Sequence, residues 1–203
     1  MRNLLRVARP FRQQIDEGIL DRAAALFARQ GYAKTSLQDI AHAVGLSKAG
    51  LLHHFPSKDA LRDGVVAQVD TVARRVLEAV RHLPAGRDRD RLAVAVVLDA
   101  ALAHPGLVAL LIAPVTRADG GAIAEDASPE AAVLEAFGVD PATTAPERIV
   151  RVIGALGALA VLTLAAEQDD QTTPWRAHVA ATCFDALGHG RSAALPSSDQ
   201  VEA

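Results

Sequence analysis

Residues 35–61, TSLQDIAHAVGLSKAGLLHHFPSKDAL, constrain the fold more than any other stretch of this 203-residue chain. Thr35, Ser47 and Ser57 each stand where a helix would begin, and a hydroxyl at an N-cap accepts a hydrogen bond from a free N–H of the first turn. Thr35 with Gln38 three residues on fits a capping box. Between the first two helix starts lies Gly45, which takes up a positive φ at little cost. Phe55-Pro56 closes the second helix, because the residue before proline avoids the α region. The spacing predicts two short helices, 36–44 and 48–54, joined by a tight turn and followed at once by a long helix from Lys58 to about His82. That is the layout of a helix-turn-helix, whose second helix is shaped to lie in the DNA major groove.

The rest of the chain keeps helical periodicity. Ile15, Ile19, Ala23 and Leu26 recur at three- and four-residue spacing, predicting a helix from about Gln13 to Gln30 that Gly31 stops. Further helices are expected at 88–103, 107–115, 129–137, 146–166 and from Thr173 to near Gly188, with Thr144 capping the fourth and Glu147 at its N3. Residues 117–129, RADGGAIAEDASP, read as a loop. The expected fold is all-α. Its parts are a basic N-terminal arm (1–12), a three-helix helix-turn-helix head (13–62), a helical body entered through the long fourth helix (63–188), and a disordered tail (189–203).

Charge separates the same parts. The formal net charge is −3, yet residues 1–63 carry ten Lys/Arg against six Asp/Glu, while residues 64–203 carry eleven against eighteen. A basic first third on an acidic body suits a polyanion-binding module joined to something with another task. Arg2, Arg6, Arg9 and Arg12 stand in the arm with no acid among them; they serve phosphate or minor-groove contact, or form an inconsequential terminus. Cys183 is the single cysteine, which excludes an intramolecular disulfide. No stretch resembles a signal peptide. The uncharged, apolar run at residues 152–166 has 15 residues, short of the roughly 18 of a membrane span. A soluble, cytoplasmic protein without a membrane partner is expected.

Enzyme chemistry finds no support. Paired carboxylates, metal-spaced His/Cys sets and nucleophile motifs are all missing. His53 and His54 are adjacent, so on a helix they point about 100° apart and chelate poorly. No catalytic residue, metal site or cofactor is expected.

Residues 13–62 resemble the DNA-binding head of the TetR (tetracycline-repressor) family of bacterial transcription regulators. The resemblance rests on Ala24, Leu26-Phe27, Gly31-Tyr32, Thr35-Ser36, Ile40-Ala41, Gly45-Leu46-Ser47-Lys48, Leu51, His53-His54-Phe55, Ser57-Lys58 and Leu61. The chain departs from the family pattern at Ala49, Gly50 and Leu52; the last stands where members usually offer a tyrosine hydroxyl to the DNA backbone. Gly50 lowers helix propensity by roughly 1 kcal/mol against Ala.

On this reading the DNA-facing residues are Thr35, Ser36, Ser47, Lys48, Ala49, Gly50, Leu52, His53, His54 and Lys58. Hydroxyls and free N–H groups at the helix starts would meet phosphate, and Lys48 a base edge or phosphate. Each histidine contacts phosphate or, alternatively, caps a helix end.

For the body, the resemblance implies a ligand pocket among the middle helices and a four-helix bundle between two subunits. Candidate pocket residues are Asp70, His104, Leu107, Leu111, Arg117, Phe137 and Leu159, each of which could equally be plain core or surface. Candidate interface residues are Ile153, Leu156, Gly157, Ala160, Leu164, Val179 and Phe184, in helices too apolar for solvent on all sides. The function expected is that of a homodimeric regulator, most often a repressor, released from a pseudo-palindromic duplex operator by a small hydrophobic effector. The alternative is a helical interaction protein whose head has lost specific DNA binding.

Overall fold

The computed structural model describes residues 4–116 and 129–190, and among them every regular element is helical. The order is α1 (Leu4–Gln30), α2 (Leu37–Ala43), α3 (Lys48–His54), α4 (Lys58–Val80), α5 (Arg87–Ala103), α6 (Pro105–Thr116), α7 (Pro129–Ala136), α8 (Pro146–Gln168) and α9 (Thr172–Phe184), closed by a π-helical turn (Asp185–His189). The expected all-α architecture is therefore present. Of the expected loop (117–129) and tail (189–203), residues 117–128 and 191–203 lie outside the described residues.

Two apolar cores form where helical stripes meet. In the first, Ile19, Leu20, Ala23, Ala24 and Phe27 of α1 pack with Ile40 and Ala41 of α2, Leu51 of α3, and Leu61, Val65 and Val69 of α4. In the second, Val76 and Val80 of α4 pack with Ala93, Val94 and Leu98 of α5, Phe137 just after α7, Val152, Ala155 and Leu159 of α8, and Val179 and Cys183 of α9. Burial pushes the Cys183 thiol up to about 11, which leaves it a small apolar filler. Helix α4, 23 residues and so about 34 Å long, feeds both cores.

Several boundaries differ from the sequence reading, each for a local reason. Helix α1 runs back to Leu4 through Pro10, so residues 4–12 are helix rather than an irregular arm; proline cannot donate, but its fixed φ is helical. The cap of α2 is Ser36, not Thr35. Ser36 Oγ accepts the Asp39 N–H at 3.1 Å, and the Asp39 carboxylate accepts the Ser36 N–H at 2.9 Å. Thr35 is buried and donates its hydroxyl to the Gly31 carbonyl at 2.9 Å. Thr144 does not cap α8, whose first residue follows Ala145; its hydroxyl accepts the Asp140 N–H instead. Helix α6 begins at Pro105, earlier than expected, because proline fits the first helical position.

The first turn of α5 ties the body together. Asp90, 1% exposed, accepts from Arg148 Nη2 at 2.6 Å and pairs with His189 Nε2 at 2.6 Å. Arg148 also donates to the Phe137 carbonyl. Beside it, Arg89 donates to the carbonyls of Leu83, Glu135 and Ala136, closing the ends of α4 and α7.

The two cores meet where α6 crosses α1. Leu107 of α6 enters the first core, and Asp21 Oδ1 accepts the Leu107 N–H at 3.0 Å. Burial pushes the Asp21 carboxyl above its ordinary range, although the N–H groups of Leu107 and Gly106 pull the other way. A Cβ at Gly106 would lie 1.9 Å from the Asp21 carbonyl oxygen. Gly106→Ala must therefore push α6 off α1, and urea denaturation is expected to show a loss of about 3 kcal/mol. Unchanged stability would mean that this crossing is not closely packed.

Candidate nucleic-acid interface

Helix α2, the turn at 44–47 and helix α3 are held by local bonds that the sequence dictates. The Val44 N–H and Leu46 N–H reach back to the carbonyls of Ile40 and Ala41. Gly45 takes φ +69°, as expected of the turn. Ser47 Oγ accepts the Gly50 N–H at 3.0 Å, and Ser57 Oγ accepts the Ala60 N–H at 3.0 Å. Both caps stand where the sequence places them. Leu51, fully buried, pins α3 to the core. The Asp39 carboxyl is held below its ordinary range, chiefly by the Ser36 hydroxyl. The box therefore contributes at neutral pH and is lost only as pH falls through that lowered value.

The candidate DNA-facing side chains divide into three groups. Lys48, Ala49 and His53 are exposed on α3, with Leu52 half-buried beside them and Gly50 turned toward Leu46 and Ser47. Ser36 and Ser47 are exposed, but each hydroxyl is engaged in its cap. Thr35 and His54 are engaged inside the head. Thr35 is 1% exposed. His54 Nδ1 lies 2.6 Å from Asp16 Oδ1 of α1, with the His53 ring edge-on to its own at 5.9 Å. Lys58 sits at the start of α4, donating to the Ala33 carbonyl at 3.3 Å and lying 4.3 Å over the Tyr32 ring. The Tyr32 hydroxyl donates to Asp59 at 2.6 Å, and burial followed by that carboxylate pushes its pKa up. Asp16, Tyr32 and Asp59 were not anticipated as supports; nothing in their spacing along the chain pairs them with α3 and α4.

The candidate pocket residues do not gather. Leu107 belongs to the first core, and Phe137 and Leu159 to the second. Leu111 is 44% exposed. Asp70 is ion-paired with Arg74 at 2.8 Å on the outer face of α4. Arg117 lies outside the described residues. Only His104 stands at a polar buried spot, with its Nδ1 3.4 Å from Gln68 Nε2 of α4. Gln68 is 8% exposed and its Oε1 has no partner among the described residues. The signal for Gln68 was legible, since it falls seven residues after Leu61 on the buried stripe of α4.

The candidate interface residues also separate. Ile153 is 55% exposed, Gly157 is exposed with open space around it, and Leu156 and Leu164 are half-buried. Ala160 and Val179 are buried within the subunit, and Phe184 lies under the Arg87 and Arg91 guanidinium groups. Ala160 and Val179 thus face their own chain, while Phe184 is half-buried. Val150 and Val161, 69% and 57% exposed, were missed. Positions 150, 154, 157 and 161 alternate spacings of four and three, the seam of a helix that packs on another helix.

The capped α2–Gly45–α3 unit on the first core is a helix-turn-helix DNA-binding head. Residues 19–65 match the model described as "Bacterial regulatory proteins, tetR family". The HTH-type transcriptional repressor KstR2 of Rhodococcus jostii (strain RHA1) is 44% identical over 48 residues, 24% of each chain. The HTH-type transcriptional regulator RutR of Escherichia coli (strain K12) is 38% identical over 66 residues, 32% of this chain and 31% of that one. Similarity to these relatives thus spans a third of their length or less. A crystal structure described as a tetR family transcription regulator from Shewanella sp. PV-4 covers 85% of this chain and 95% of its own, at 19% identity and TM-score 0.47. Residues 19–65 are thus similar to the DNA-binding head of tetR-family regulators. Both relatives are described as HTH-type transcriptional regulators or repressors.

The Asp16–His54 contact fastens the end of α3 to α1. His54→Ala and Asp16→Ala are each expected to cost about 1 kcal/mol in urea denaturation, and the double variant less than the sum. Strict additivity would remove the pair from this role.

Proposed function

We propose that the chain is a cytoplasmic, homodimeric transcriptional regulator, acting as a repressor that leaves its duplex operator when a small, largely apolar ligand binds the body. The observation that carries the reading is the outward face of α3: Lys48, Ala49 and His53 are exposed while Leu51 of the same helix is fully buried. A helix anchored on one side and open on the other is what insertion into a major groove requires. Lys48 would contact a base edge or phosphate, Lys58 the backbone beside α4, and His53 a phosphate at the end of α3.

Pairing of two subunits supplies what one head lacks. Lys34, Lys48, Lys58 and the arm arginines neutralise few phosphates, so a single head binds weakly and salt weakens it further. The face of α8 bearing Val150, Ile153, Gly154, Gly157 and Val161 supports a second copy as its cover. A Cβ at Gly154 or Gly157 would meet nothing within 4 Å, leaving room for a second helix at close range. Helix α8 is long and apolar enough to cross a membrane by length and composition. Its opposite face, however, is packed on this chain's own core through Val152, Ala155 and Leu159, so only one stripe is left to cover.

The effector would work through α4, because α4 reaches both cores. A ligand that donates a hydrogen bond to Gln68 Oε1 gains an interaction that the ligand-free body leaves unmade. Release follows only if that interaction is stronger in the state that does not hold DNA.

Selection of bound duplexes from a random pool tests the head, and enrichment of paired half-sites about 34–36 Å apart or a multiple is expected. Lys48→Ala should weaken specific binding by about tenfold or more with the dimer intact. Ile153→Arg should sediment as a monomer where the wild type is a dimer. No enrichment of any sequence, or a monomeric wild type that binds tightly, would overturn the reading.

A further inference from the structure

The exposed face of α3 is poor in hydrogen-bonding groups, and that poverty restricts what it can read. The helix is Lys48–His54, KAGLLHH. At about 100° per residue, positions 48, 49, 52 and 53 fall within one arc of about 140°. The other three are committed elsewhere: Leu51 to the core, His54 to Asp16, and Gly50 to the cap, where its N–H bonds Ser47. The accessible chemistry is one ammonium at the start, the methyl groups of Ala49 and Leu52 in the middle, and one imidazole at the end. No carboxylate, amide or hydroxyl stands on the helix.

The four base pairs present different groups in the major groove. Guanine offers two acceptors, O6 and N7. Thymine offers one acceptor and a C5 methyl. Cytosine offers a donor, and adenine one donor beside one acceptor. Reading the exocyclic amines of cytosine or adenine takes an acceptor, most often a carboxylate or a side-chain amide; the face has neither, and its one acceptor, the imidazole of His53, stands at the helix end. An ammonium, which only donates, is matched by guanine; a methyl surface is matched by the thymine methyl.

We propose that α3 reads its half-site through one guanine, contacted by Lys48, and through thymine methyl groups packed on Ala49 and Leu52, so that thymine is distinguished by its methyl and not by hydrogen bonds. This rests on the DNA-binding reading above. Ala49 and Leu52, which lack the polar reach expected at these positions, become the specificity-determining residues, and His53 lies beyond them at the helix end.

The test uses the full-length protein and the duplex recovered by random selection. Each thymine of the half-site is replaced in turn by uracil, which removes one methyl and leaves all Watson–Crick pairing intact. Affinity is expected to fall about fourfold at each position whose methyl α3 covers, with little change outside. Restoring a methyl at a mismatched site with 5-methylcytosine should recover part of the loss. Leu52→Ala should abolish the difference between the thymine and uracil duplexes at the position Leu52 covers and leave it at the one Ala49 covers, and replacing the conserved guanine of the selected site by 7-deazaguanine should weaken the wild type but not Lys48→Ala. Because the uracil series leaves the protein untouched, misfolding of a variant cannot mask the outcome. Tight selection of a sequence whose uracil form binds equally well overturns the inference while leaving the DNA-binding reading in place. Recovery of no sequence at all overturns both.

Discussion

Helix α4 places apolar side chains in two separate cores, and the remaining geometry follows from that sharing. Its first half, with Leu61, Val65 and Val69, completes the core of the head; its last turns, with Val76 and Val80, complete the core of the body. Close packing leaves neither half free to slide alone. The crossing of α6 over α1 closes the loop a second time, through a backbone approach that only glycine at 106 permits and a carboxylate that caps α6 from another helix. Two contacts at different points fix an orientation where one would leave a hinge. A change in how the body packs therefore has a mechanical route to the head.

The head itself is economical. Its three short connections are held by side chains acting on their own neighbours: Ser36 with Asp39, Ser47 with Gly50, Ser57 with Ala60. These bonds consume the hydroxyls that a DNA backbone would otherwise find. What remains outward on α3 is one amine, two apolar side chains and an imidazole, so a single head has little with which to grip. On the proposed reading the exposed seam on α8 acquires a purpose, since a second head in register would supply the missing affinity. Solvent cost and binding need would then point to the same event: covering Val150, Ile153 and Val161 removes apolar surface from water, and a second copy would double the DNA contacts.

Much of this was legible along the chain because its causes are local. Gly45, Ser47 and Ser57 act within four residues of themselves, so the turn and two of the three caps could be read directly. The cap of α2 was misplaced by one residue: Thr35 and Ser36 are both hydroxyl residues, and only the return of the chain past Gly31 decides which hydroxyl is buried. The pocket was not legible. Asp70, Leu107, Leu111, Phe137 and Leu159 each look suitable in sequence, yet they disperse between surface and two cores once the helices cross. Gln68 carried the better signal, a polar side chain on an apolar stripe.

By itself, the order of residues determined the helical content, the tight turn and the basic character of the first third, since propensity, capping and charge act over a few bonds. Only tertiary structure decided that His54 belongs to Asp16, that Asp90 is a buried hub for Arg148 and His189, and which side of α8 meets solvent. Those pairings join residues 38, 58 and 99 positions apart. Periodicity tells that a helix has an apolar side, but what that side meets depends on how the helices pack.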